Sequence, residues 1–142
     1  MTKNKKIMFG IIFACLFYFV GVYGYKRINN KNSFTVTEVN WNAETKFWTE
    51  NTKGNVYDIK FQVFDGTDLM QINSEKSIYD LNIDSSVGSG ELNLKVYSNE
   101  KVLLDTNGST NKTISISKGD SKNVKIELIG KNAKGNIKIK LI

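Results

Sequence analysis

The chain has 142 residues, with 20 Lys and Arg against 14 Asp and Glu, no histidine, no proline and one cysteine. The missing histidine excludes Ser-His-Asp and Cys-His nucleophilic sites and His-ligated zinc. The formal charge of +6 is carried entirely by Lys3, Lys5, Lys6, Lys26, Arg27 and Lys31, so the rest is neutral and offers no basic footprint for nucleic acid.

The first predicted element is the uncharged run Ile7–Tyr25, flanked by lysines before it and Lys26-Arg27 after it. As a helix rising about 1.5 Å per residue it spans about 28 Å, close to the roughly 30 Å hydrocarbon core of a bilayer. Its basic start and apolar middle also have the layout of an export signal. Three fates are open to it. It can stay as a membrane anchor, be cleaved after Val22-Tyr23-Gly24, or carry lipid on Cys15 behind Ile12-Phe13-Ala14, a sequence resembling a lipobox. The apolar run continues past Cys15 through Leu16–Val20, which favours the anchor. The organisation expected is an anchor or signal over 1–27, a short linker over 28–33 and an extracytoplasmic domain over 34–142. The membrane is then one partner through the N-terminal segment.

Beyond Ser33 the period changes to two. Phe34–Trp41 and Lys46–Thr49 are short candidate strands, and Asn42–Thr52 is the one stretch where a helical turn fits, with Trp41 and Trp48 on one side. Tyr57, Ile59, Phe61 and Val63 then alternate with polar residues, as do Tyr79, Leu81 and Ile83, and Leu92, Leu94 and Val96. Val102–Leu104, Thr113–Ser117, Val124–Leu128 and Ile137–Leu141 complete the series. Turn chemistry separates them at Asp65–Asp68, Gly88–Gly90, Ser98–Lys101, Asn107–Ser109, Lys118–Asp120 and Gly130–Gly135. Strand, turn and strand at this spacing predict an all-β domain, an immunoglobulin-like antiparallel β-sandwich of about seven to nine strands. With its only cysteine in the apolar segment, the domain has no disulfide and depends on its core.

Gly88–Tyr97, Ile116–Asp120, Val124–Leu128 and Gly130–Ile139 resemble the small exported β-sandwich domains of Firmicute envelope proteins, a likeness spanning residues 85–142. The resemblance implies a fold and an envelope location, and no chemistry.

Charge is segregated along the domain. Twelve of its carboxylates precede Lys112, whereas Lys112 to the C-terminus holds eight lysines against Asp120 and Glu127. If the two halves interleave as neighbouring strands, most of this cancels. A basic face formed by Lys125, Lys138 and Lys140 is the alternative, and its partner would be an anionic wall polymer. Asp80 with Asp84, and Asp65 with Asp68, are the paired carboxylates, and both read as solvent-facing or turn residues rather than a glycosidase pair. Asp105, Asn107, Ser109 and Asn111 alternate like a calcium loop, but Gly108 is misplaced and Ile116 stands where the bidentate Glu belongs. Gly88-Ser89-Gly90 lacks the lysine and helix of a phosphate loop. No cofactor or metal is expected.

Large aromatics remain. Trp41, Trp48 and Tyr97 would stack sugar rings if exposed, or close the end of the core if buried. The function expected is a non-enzymatic binding or interaction module at the cell envelope, with a wall polymer or another envelope protein as partner. The alternative is a carbohydrate- or wall-polymer-binding module.

Overall fold

The computed structural model describes residues 34–142. The expected anchor, the linker and the lipidation candidate Cys15 lie outside the described residues. Among those described, every regular element is a strand, and no helix is long and apolar enough to cross a membrane. In chain order they are β1 (Phe34–Lys46), β2 (Thr49–Glu50), β3 (Val56–Ser74), β4 (Tyr79–Ser98), β5 (Lys101–Asn107), β6 (Thr110–Ile116) and β7 (Val124–Leu141). All pair antiparallel in one seven-stranded sheet of order β1-β3-β7-β4-β5, with β2 added to β3 and β6 to β4.

The two short strands continue the edges. Lys46 pairs with Val63 and Thr49 with Lys60, so β2 extends the row of β1 along β3 after a two-residue step. On the opposite side β5 runs along the second half of β4 and β6 along the first, with Gly108 at the step. The ladders therefore form one continuous sheet of five rows.

Three strands are much longer than the alternation predicts: β3 has 19 residues, β4 has 20 and β7 has 18. The stretches Asp65–Asp68, Gly88–Gly90 and Gly130–Gly135 are not connections between strands but lie inside β3, β4 and β7. The ladders slip there, between Phe61 and Gly66 and between Val87 and Glu91. A bulge bends a strand without ending its pairing, and glycine permits the close approach at the bend. The crease runs across the sheet through Ala43, Gly66, Gly130 and Leu92, in register with one another, and reaches the Gly108 amide, which donates to the Leu92 carbonyl at 2.7 Å. A side chain at Gly130 would fall on the ring and carbonyl of Phe64, and one at Gly66 on the backbone of Asn42 and Ala43.

One face of the bent sheet is dry. Ile59, Phe64, Leu81, Ile83, Leu94, Val96, Ile126, Leu128, Ile137 and Ile139 have no exposed surface, and the buried residues on both sides of the crease form one cluster. Their partners in the alternation, such as Asp58, Lys60, Asn82, Lys95 and Lys138, are on the other face. Fully burying an aliphatic or aromatic side chain contributes about 1.5–3 kcal/mol, which makes this face the main source of stability in a domain without disulfides.

The expected helical turn over Asn42–Thr52 is absent. β1 runs on to Lys46, because Ala43, Glu44 and Thr45 pair with Gly66, Asp65 and Phe64 and leave no free backbone for a helix. Expected connections at Ser98–Lys101, Asn107–Ser109 and Lys118–Asp120 do join strands. The last is pinned by Asp120, whose carboxylate accepts from Ser117 Oγ at 2.7 Å and Lys101 Nζ at 3.3 Å, while Ser98 Oγ donates to its carbonyl at 2.6 Å. The Ser117 hydroxyl first, and then Lys101, hold the Asp120 carboxyl below its ordinary range.

Candidate binding site

The step between β1 and β2 opens a groove on the outer face of the sheet. Phe47 there adopts a φ of 52°, in the left-handed region that costs a non-glycine residue roughly 1 kcal/mol or more. The conformation sends neighbouring side chains to opposite sides, with Trp48 against the core and Phe47 82% exposed. Phe47 lines an open groove of about 780 Å³ together with Lys46, Lys60, Gln62, Lys134 and Asn136. The sheet register assembles it, since Thr49, Lys60 and Asn136 are lateral neighbours across β2, β3 and β7, and Phe61 pairs with Gly135 beside them. Lys46, Lys60 and Lys134 are exposed, and none has a carboxylate in salt-bridge range among the described residues. The groove thus offers one apolar ring, three ammonium groups and two amides.

The tryptophans sit behind this groove. Trp41 and Trp48 meet edge to face with centroids 4.9 Å apart, Trp48 lies parallel to Phe61 at 5.8 Å, and both contact Phe64. The Trp41 Nε1–H donates to the Ala43 carbonyl at 3.1 Å. Both are half-buried and pack on the edge of the core. Tyr97 is not with them. It lies on the outer face of β4, between Val102 of β5 and Lys125 of β7, where burial and then the Glu127 carboxylate push its phenol up.

The three lysines expected to share a face are spread along β7. Lys125 is near its start beside Tyr97 and Gln71, whereas Lys138 and Lys140 lie beyond the crease at its end. Lys138 is flanked in register by Asp58 and Asp84, and Lys140 by Val56 and Asn82. All three lie on the outer face of β7, and Lys138 and Lys140, two residues apart, are neighbours there.

A second, smaller site lies between β1, β2 and β3. A cavity of about 70 Å³ is lined by Glu38, Glu50, Tyr57, Asp68, Trp41 and Trp48, with Val36 and Met70. Asp68, read from its neighbours as a turn residue, is only 2% exposed, because β3 continues through it and turns its side chain to the core face opposite Trp41. Its Oδ1 has no hydrogen-bond partner among the described residues. Burial, then Glu38, then Glu50 push the Asp68 carboxyl up to about 7. Burial and the same carboxylates raise Tyr57 well above the usual phenol range. Glu50 accepts from Thr52 Oγ1 at 2.7 Å. No group of three Asp and Glu side chains among the described residues is arranged to hold a metal ion.

Neither a protein-family model nor a curated protein matches the chain. Among solved structures, a mutant family 29 carbohydrate-binding module, made to probe ligand recognition, is 15% identical over 78% of this chain and 84% of its own, with a TM-score of 0.34. A second family 29 mutant is 13% identical over 78% and 90%, with a TM-score of 0.36. The Glycosylation Associate Protein (Gap123) complex from Streptococcus agalactiae is 13% identical over 76% of this chain and 25% of its own, with a TM-score of 0.33. At TM-scores this low the overlap carries neither fold nor ligand to this chain.

Proposed function

We propose that residues 34–142 are a non-catalytic module that binds an anionic polysaccharide or wall polymer in the groove beside Phe47. The N-terminal apolar segment would hold it at the outer face of a bacterial membrane. In this reading the two arms of the creased sheet are the layers of a β-sandwich, and the groove lies at their fold. The observation that carries it is an aromatic ring held 82% exposed, in a strained backbone conformation, beside three lysines without carboxylate partners among the described residues. Backbone strain kept at an exposed position marks a place where function can outweigh stability. A flat ring receives the apolar face of a sugar, the amides of Gln62 and Asn136 bond hydroxyls, and the ammonium groups take the anions. The absence of histidine leaves the groove without the usual proton shuttle of hydrolytic sites.

The test is binding of the full chain to a purified phosphate-bearing wall polymer and to a neutral glucan of similar length. The anionic polymer should bind more tightly and weaken at least severalfold as salt rises from ~0.05 M to ~0.5 M. Phe47→Ala and the Lys60→Ala/Lys134→Ala pair should each weaken it about fivefold or more. Phe47→Gly should lose binding while gaining about 1 kcal/mol in stability, since glycine adopts φ 52° freely. Equal binding of the neutral glucan, or binding untouched by salt and by these variants, would overturn the reading.

A further inference from the structure

We propose that the small cavity between β1, β2 and β3 binds a protonated aliphatic amine, with Asp68, Glu38 and Glu50 as anionic partners and Trp41 and Trp48 as lining aromatics. This goes beyond the groove reading and does not rest on it. The cavity shares no lining residue with the groove and carries charge of the opposite sign.

Three features point to this occupant. Asp68 lines the cavity while almost wholly buried, and its Oδ1 accepts no hydrogen bond among the described residues. A buried carboxylate without a donor is costly, so a cationic donor is what the site lacks. Neither Asp68 nor Glu38 or Glu50 belongs to an ion pair among the described residues, so the negative charge has no internal counterpart. The two indoles complete the lining and keep that side of the cavity free of competing hydrogen-bond acceptors.

The geometry also selects among cations. A bare metal ion needs several oxygens converging at little more than 2 Å, and the carboxylates here do not converge in that way. An ammonium head carries three divergent N–H donors, so it can bond the buried Asp68 carboxylate while its other donors face water or a second carboxylate. At about 70 Å³ the space admits a head of methylammonium size, given roughly 30 Å³ per water molecule in the liquid. Glu38 and Glu50 are exposed, so the cavity opens to solvent on their side and a longer amine can leave its tail outside.

Both tryptophans of the chain line this cavity, so intrinsic fluorescence reads it directly. The full chain at pH ~8, above the Asp68 titration, is titrated with methylammonium chloride against potassium chloride of equal ionic strength, and separately with calcium chloride. A saturable fluorescence change with methylammonium alone is expected, weakened about tenfold or more in Asp68→Asn. The Glu38→Gln/Glu50→Gln pair, at exposed positions where folding is not at stake, should weaken it severalfold and keeps the test decisive if Asp68→Asn misfolds. An unsaturable response, a response equal with potassium, saturation by calcium at lower concentration, or full affinity in the Glu38→Gln/Glu50→Gln protein would overturn the assignment.

Discussion

At the scale of single residues, Asp68 has the largest consequence for stability. Burial, then Glu38 and Glu50, push its carboxyl up to about 7 from 3.8 for the free group, so between these values the native state holds a proton that the unfolded state has released. The folded form is therefore favoured most below about pH 4, and it loses stability as pH rises through 7. Three pKa units correspond to about 4 kcal/mol, an upper bound for this one group. Asp68→Asn removes the titration while keeping the shape. Denaturant unfolding should find the variant more stable than the parent at pH ~8, by about 1–3 kcal/mol, with the difference shrinking towards zero near pH 4. An equal gap at both values would place the effect in packing instead. Nothing around Asp68 in sequence announces this, because Asp65-Gly66-Thr67-Asp68 has the composition of a tight turn.

At the scale of elements, the crease matters most. Phe64 lies against Gly130 where β3 and β7 bend together, and Gly66 pairs with Gly130 in the same row. Gly130→Ala should destabilise by about 2–4 kcal/mol, because the added methyl collides with a ring packed at 0% exposure. Thermal or denaturant melting measures this directly, and a loss below about 0.5 kcal/mol would mean that the crease yields easily. The apolar alternation was readable over most of the sheet, since Tyr57, Ile59, Phe61, Leu81, Ile83, Leu92, Leu94, Ile126, Leu128, Ile137 and Ile139 all face the core as the period of two requires. The continuity of the strands was not readable, because a glycine that bends a strand and a glycine that ends one look alike until the partner strand is known. The groove escaped for a related reason. Lys46, Phe47, Lys60 and Lys134 come from three rows of the sheet, and only the φ at Phe47 turns that ring outward. The tryptophans were half legible, as their spacing suggested a shared location but not the carboxylates they enclose.

At the scale of the molecule, the acidic first half and basic second half of the domain interleave. Lys138 lies between Asp58 and Asp84, and Glu91 meets Lys131 at 3.1 Å. Such exposed pairs contribute about 0–1 kcal/mol each, so their main effect is to leave the outer surface balanced. A single buried cluster joins both arms, with the strand pairs far apart in sequence. Unfolding should then be one cooperative event. Tryptophan fluorescence, which reports the β1–β3 end, and far-ultraviolet circular dichroism, which reports the whole sheet, should give coincident denaturant transitions. Separate midpoints would show that one arm melts before the other. The two outer rows of the sheet have a different consequence. Each is interrupted, one at Phe47-Trp48 between β1 and β2 and the other at Gly108 between β5 and β6. A foreign chain seeking to add itself as another strand would lose its hydrogen-bond register at either interruption, so these long ribbons are guarded against growth into fibrils by the same step that displays Phe47.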